Sequence, residues 1–282
     1  MRFSFLLSAL ALSALAWGAG RSPSVALAAG SRTAATGIRV ALVQFDARPG
    51  EVRKNLNAME RLARQAVANG ARLVLFHELA TTDYMDDMTQ LAEPIPEGPS
   101  CRRMESLAKE LDCFLSFGMP EQDGGRLYIA QVFFGPQGFV YRYRKTWLCK
   151  DETDGGYRNE WARYNPGTGP ELFEIDGIRA TCFICADATA PRCIEQARAL
   201  RPELVFFPIN RGARKFQEYP ALIARIGAPT LVANRVGKSY GRDCVGGSAV
   251  YGGDGQILAQ ANRDHQEEIL YYQIALPANV KR

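Results

Sequence analysis

Histidine is almost missing from this chain: of 282 residues, only His77 and His265 carry an imidazole. A tetrahedral zinc cluster at the usual ligand spacing needs more, so the sequence offers none. Strong charge of one sign is missing too. The formal charge is +4, which sets up no field suited to nucleic acid or anionic lipid. No internal repeat, low-complexity block or interior linker interrupts the chain after its first 37 residues. With 47% hydrophobic residues, the remainder can bury a large core as one domain.

The start of the chain reads differently. Met1-Arg2 precedes an uncharged apolar run from Phe3 to Trp17, and Ala26-Leu27-Ala28 follows. A short basic start, an apolar middle and an A-x-A site predict a signal peptide over residues 1–28. A linker over 29–37 and one domain over 38–282 would come after it. The apolar run is too short for a comfortable membrane span, and an uncleaved anchor is the alternative. There is no twin-arginine pair, and no cysteine near Ala28 to take a lipid. The expectation is export to the periplasm or medium, with cleavage near Ala28. Beyond Ala28 the chain keeps 32 basic against 30 acidic residues, a charge of +2. Two small basic clusters, Arg142-Arg144-Lys145 and Arg211-Arg214-Lys215, read as solvated faces apart from Lys145.

Seven cysteines are present, at 101, 113, 149, 182, 185, 193 and 244. In an exported chain six could pair and leave one free thiol, but the chain is not small and disulfide-dense, so unpaired buried cysteines fit equally. Cys182 and Cys185 form a C-x-x-C. On a strand these positions face opposite sides, which argues against redox chemistry.

Hydrophobic patterning predicts alternating strands and helices. Arg39 to Phe45 reads as a buried strand, Val52 to Asn69 as an amphipathic helix, and Leu73 to Phe76 as a second buried strand. This β-α-β unit implies parallel strands whose C-terminal ends share one edge. Arg102 to Leu111 follows as a helix and Cys113 to Met119 as a strand. Hairpins are expected at 127–134/139–143, 172–175/178–184 and 248–251/257–258. Helices are expected at 191–200 and 216–226, and strands at 204–208, 230–233 and 269–274.

Three polar residues fall just past apolar strands in this pattern: Glu78, Lys145 and Cys185. A thiol near its ordinary pKa is a weak nucleophile and needs a base. A carboxylate beside an ammonium can take its proton, and the ammonium can face charge that develops on an attacked carbonyl. Each residue also has a plain structural reading, as a polar strand terminus, a solvated cation or a buried cysteine.

The flanking words carry a resemblance. They are Leu73-Val74-Leu75-Phe76-His77-Glu78-Leu79 with Tyr84 following, then Tyr143-Arg144-Lys145-Thr146-Trp147-Leu148, then Arg179-Ala180-Thr181-Cys182-Phe183-Ile184-Cys185-Ala186-Asp187. Supporting words are Phe206 to Asn210, Leu231 to Gly237 and Gly246-Gly247-Ser248. From about Ile38 to Ala275 the chain resembles the carbon–nitrogen hydrolases of the nitrilase superfamily. The resemblance implies an α/β fold, a four-layer α-β-β-α sandwich of two mixed sheets with helices outside, commonly a homodimer or larger homo-oligomer. It also implies a Glu78–Lys145–Cys185 triad acting on a small-molecule substrate without cofactor or metal. Glu160, seven residues before Gly167, takes the family's supporting glutamate position in preference to Glu152. Tyr84, the backbone N–H of Ala186, and Asn210 would line the substrate side.

The residues after Cys185 depart from the family's habits. Nitrile-cleaving members usually place a Trp-Glu pair directly after the cysteine, whereas Ala186-Asp187 stands here. Many amidases carry an aromatic or acidic residue after the cysteine and a carboxylate just after the proline, whereas Ala186 and Arg192 stand at those positions. Hydrolysis of a small linear amide or N-carbamoyl compound is therefore expected over nitrile hydrolysis. The alternatives are acyl transfer from the thioester to an amine, an idle binding protein on the same scaffold, and a Cys–His thiol protease using His77 or His265.

Overall fold

The computed structural model describes residues 37–151, 158–239 and 241–275. The expected leader, residues 29–36 of the expected linker, and Glu152 lie outside them. Among the described residues, no helix is long and apolar enough to cross a membrane.

The chain opens with β1 (Gly37–Gln44), α1 (Val52–Ala68), β2 (Leu73–Phe76) and α2 (Pro99–Glu110), and continues through β3 (Phe114–Asp123), β4 (Arg126–Gly135) and β5 (Gly138–Arg144). A two-residue pair, β6 (Lys150–Asp151) and β7 (Arg158–Asn159), precedes β8 (Phe173–Ile175) and β9 (Ile178–Cys182). Then come α3 (Pro191–Ala199), β10 (Leu204–Pro208), α4 (Tyr219–Ile226) and β11 (Thr230–Ala233). The hairpin of β12 (Val236–Ser239) and β13 (Arg242–Val245) follows, then β14 (Ala249–Tyr251), β15 (Ile257–Gln260) and β16 (Glu268–Ala275).

Two six-stranded sheets form, in the orders β16-β1-β2-β3-β4-β5 and β15-β14-β11-β10-β9-β8. Each has three parallel strands at its centre and antiparallel strands outside, so both are mixed. Side-chain alternation decides which layer each residue joins. In β1 and β2, Val40, Leu42, Leu73 and Leu75 enter the core shared with the second sheet. Their neighbours Ala41, Val43, Val74 and Phe76 face the other way, onto Leu56, Met59 and Leu62 of α1 and Met104 and Leu107 of α2. On the far side of the second sheet, α3 and α4 bury Ile194, Ala197, Ile223 and Ile226. The result is the expected four layers, helix on sheet on sheet on helix.

Two expectations need correction, and one open alternative, paired against unpaired cysteines, is resolved. The strand before the second C-x-x-C cysteine stops at Cys182, and Cys185 opens a separate 3-10 turn over Cys185–Thr189. All seven cysteines are free, six of them buried and Cys149 half-buried. Arg142 and Arg144 are not merely solvated: both bind Glu121, which is fully buried, and Arg144 Nε reaches Glu121 Oε2 at 2.7 Å. The β12–β13 hairpin was not foreseen, because Gly237, Lys238, Arg242 and Asp243 break the apolar alternation that marks a strand.

Candidate active site

Strand direction gathers the candidate side chains. β2 and β3 are parallel, while β3–β4 and β4–β5 are antiparallel, so β5 runs with β2 and both end on one edge. Glu78 follows β2, and Lys145 follows β5 directly, its N–H donating to Ile129 O at 2.8 Å. In the facing sheet β9 and β10 are parallel, and Cys185 and Arg211 each come shortly after their strand ends. Two glycines allow the backbones to close around this edge. A Cβ on Gly118 would lie 2.2 Å from Leu79 N and 2.8 Å from the Glu78 backbone, and one on Gly167 would lie 2.2 Å from Arg144 O. Gly167 N–H also donates to Lys145 O at 2.9 Å.

The structure brings Glu78, Lys145, Glu160 and Tyr84 into one buried cluster. Lys145 Nζ is 2.7 Å from Glu78 Oε1, 2.7 Å from Glu160 Oε1 and 3.3 Å from the Tyr84 hydroxyl. That hydroxyl lies 2.8 Å from Glu78 Oε1 and 2.7 Å from Glu160 Oε1, and its single proton serves one carboxylate at a time. Glu160 is fixed from behind by the Cys149 N–H, 2.8 Å from its Oε2. Burial alone would lower the Lys145 pKa, but the charges of Glu160, Glu78 and Cys185 hold it well above the ordinary range, so Lys145 stays an ammonium. Tyr84 is pushed well up by burial and by the same two carboxylates, and remains a phenol. Glu78 Oε2 is buried and has no hydrogen-bond partner among the described residues. It is the free oxygen of the cluster.

Cys185 has φ +46, a left-handed conformation that costs a non-glycine residue energy and is tolerated where surrounding contacts impose it. Asp187 supplies those contacts. Its Oδ2 accepts from Ile184 N–H at 2.8 Å and from the Tyr143 hydroxyl at 2.8 Å. Its Oδ1 accepts from Thr146 N–H at 3.0 Å and Trp147 N–H at 2.5 Å. One buried carboxylate thus ties the turn carrying Cys185 to the segment just after Lys145. Burial pushes the Asp187 pKa up to about 6, against the pull of the Ile184 and Trp147 N–H groups and of Tyr143. The Cys185 thiol is also pushed up, chiefly by burial. Arg211 opposes the shift, Glu78 adds to it, and Lys145 and the Asn210 N–H oppose it.

The sequence-predicted residues fare differently. Ala186 lies in the first turn of the 3-10 segment, where N–H groups lack intrahelical partners. The Asn210 side chain is turned away, its Nδ2 donating to Asp83 Oδ1 at 2.9 Å, so it is the Asn210 backbone that reaches the thiol. His77 Nδ1 lies 2.9 Å from Glu78 O, its ring packs at a tilt against Phe45, and burial drives its pKa down to about 3, leaving it neutral. His265 is exposed. No hydrogen bond joins either imidazole to Cys185 among the described residues. Nor is any group of three or more His, Cys, Asp and Glu side chains arranged there to hold a metal ion.

Sequence reasoning missed two residues. Asp187 looked like an ordinary turn residue. Arg211 read as a solvated cation, yet its Nε donates to Cys185 Sγ at 3.0 Å. Its position directly after Asn210, at the end of a strand parallel to the one before Cys185, was the available signal.

Comparison with known proteins agrees with this architecture. The carbon–nitrogen hydrolase family model matches residues 39–279. A nitrilase from Pyrococcus abyssi is 27% identical over 238 residues, covering 82% of this chain and 87% of its own. An N-carbamoylputrescine amidase from Oryza sativa is 28% identical over 268 residues, covering 86% and 87%. An omega-amidase from Xenopus tropicalis is 33% identical over 153 residues, covering 53% and 55%. A mutant of a Nesterenkonia amidase of the nitrilase superfamily superposes with a TM-score of 0.74 at 23% identity, covering 84% of this chain and 90% of that one. A CN-hydrolase superfamily protein from Xanthomonas campestris gives 0.74 at 21% identity, with the same coverage. The chain belongs to the carbon–nitrogen hydrolase family and is a carbon–nitrogen hydrolase enzyme.

Proposed function

We propose that this hydrolase cleaves small linear amides or N-carbamoyl compounds through a thioester on Cys185. The observation that carries the reading is the free oxygen of Glu78, Oε2, in a carboxylate whose other oxygen is held by Lys145 and Tyr84. Glu78 takes the Cys185 thiol proton, and the sulfur attacks the carbonyl carbon. Lys145 and the Ala186 N–H face the resulting oxyanion, and the long 3.3 Å contact to Tyr84 is the one Lys145 gives up. The tetrahedral species collapses as Glu78 returns its proton to the departing amine. Glu78 then takes a proton from water, hydroxide attacks the thioester, and that proton restores the thiol as the acid leaves. Glu160 holds Lys145 in place throughout.

Ala186-Asp187 in place of the nitrile-cleaving Trp-Glu pair, and the two relatives named as amidases, favour amides over nitriles. Purified chain incubated with amides, N-carbamoyl compounds and nitriles tests this. The expected result is release of ammonia or amine from the first two classes, with no acceptor amine present. Turnover of nitriles alone, or release only when an acceptor amine is added, would replace the reading with nitrile hydrolysis or acyl transfer. We further propose that residues 1–28 act as a cleaved leader and that the chemistry takes place outside the cytoplasm; cell fractionation with N-terminal sequencing tests this, and a full-length chain retained in the cytoplasm would overturn it.

A further inference from the structure

Arg211 stands out among the cations of this molecule. The buried Lys145 and Arg235 each have two carboxylate partners. Arg211, part-buried, has no carboxylate partner among the described residues, and its Nε is 3.0 Å from Cys185 Sγ. Its backbone is gripped on both sides by Asn234, whose Oδ1 accepts Arg211 N–H at 3.1 Å and whose Nδ2 donates to Arg211 O at 2.9 Å. Asn234 is itself anchored, with Nδ2 2.8 Å from Gly246 O and its own N–H 3.0 Å from Ser248 Oγ. A cation whose backbone is fixed at two points by an anchored asparagine, and whose side chain ends on a thiol sulfur, is built to meet charge on that sulfur.

We propose that Arg211 is a further catalytic residue, whose guanidinium pairs through Nε–H with the Cys185 thiolate formed when the thiol proton passes to Glu78. This rests on the reading of Cys185 as nucleophile. The proton balance is simple: the S–H bond breaks, an O–H bond forms on Glu78, and Arg211 keeps all its protons. The charged groups facing the sulfur are Glu78 beyond β2, Lys145 beyond β5 and Arg211 beyond β10, with the phenols of Tyr84 and Tyr219 nearby. Glu78 disfavours a thiolate, and Lys145 is already divided between two carboxylates. Arg211 is therefore the cation free to stabilise it, in keeping with its place as the strongest influence lowering the thiol pKa.

The test reads the thiol without any substrate. The rate of Cys185 alkylation by methyl vinyl sulfone, a small uncharged reagent with no carbon–nitrogen bond, is followed across pH by mass spectrometry of the Cys185 peptide, in wild type, Arg211→Met and Arg211→Lys. The expected outcome is a midpoint raised by about one unit or more in Arg211→Met. Alkylation at neutral pH then falls about tenfold, and Arg211→Lys recovers most of the loss. If Arg211→Met fails to fold by circular dichroism, Arg211→Gln carries the same test with the polar end kept and the charge removed. A wild-type alkylation profile in the uncharged variant, with turnover lost only through a raised KM, overturns the proposal and makes Arg211 a substrate anchor. Because alkylation needs no amide, a chain that hydrolyses none still answers this question, so failure of the hydrolase reading is told apart from failure of this one.

Discussion

Replacing Lys145 with methionine removes the ammonium that stands between two buried carboxylates. Glu78 Oε1 and Glu160 Oε1 each lie 2.7 Å from Nζ, so they are at most about 5.4 Å apart. At an effective dielectric of about 20, two unit charges at that separation repel by roughly 3 kcal/mol. Breaking a buried ion pair from one side costs about 3–5 kcal/mol for the same reason, since it leaves charge uncompensated. The variant relieves part of this by holding a proton on the carboxylate pair, and Glu78 then ceases to be a base. Two losses combine: the oxyanion loses a donor, worth about a hundred- to a thousandfold in kcat, and the thiol loses its proton acceptor. Steady-state kinetics and urea denaturation read both. The expected result is a kcat at least a hundredfold lower and a stability lower by about 3 kcal/mol. A Lys145→Met enzyme with wild-type kcat and an unchanged urea midpoint would refute the reasoning.

Glu78→Gln keeps the shape of the base and removes its charge. Turnover should collapse while circular dichroism stays native, and retained activity would show the base to be elsewhere. Gly118→Ala places a Cβ 2.2 Å from Leu79 N; it should displace Glu78, lower kcat more than tenfold and destabilise the fold by about 1–3 kcal/mol, and an unchanged urea midpoint would contradict that close approach. Asp187 has a folded pKa of about 6 against an ordinary 3.8. The fold binds this proton more tightly than the unfolded chain does, so the group's stabilising contribution is present near pH 3.5 and lost as pH rises through 6. The stability of wild type relative to Asp187→Asn should therefore fall by up to about 3 kcal/mol between pH 3.5 and 7, measured by urea midpoints; a difference independent of pH would contradict the raised pKa.

Much of this fold was legible because its strands are short, apolar and bounded by polar turns. Leu73–Phe76, Leu204–Pro208 and Thr230–Ala233 fall where the pattern puts them. Parallel neighbours in a β-α-β unit share an edge, which is why polar residues just past those strands could be read as one candidate site. Other features needed the third dimension. Its place just past a strand sets Arg211 apart from Arg214 and Lys215, but the grip on its backbone comes from Asn234, 23 residues further on. Asp187 follows Cys185 as any turn residue might, and its partners Tyr143, Thr146 and Trp147 come from the opposite sheet's edge. Arg142 and Arg144 looked solvated because their partner Glu121 lies on a different strand.

The central claim is that Cys185 carries the acyl group during turnover. Wild-type chain and Cys185→Ala are mixed with an amide that is hydrolysed, quenched in acid within the turnover time, and digested for mass spectrometry. The expected result is the acyl mass on the Cys185 peptide of wild type alone, with no turnover by the alanine variant. Hydrolysis that continues in Cys185→Ala, or an acyl mass on another cysteine, would contradict it.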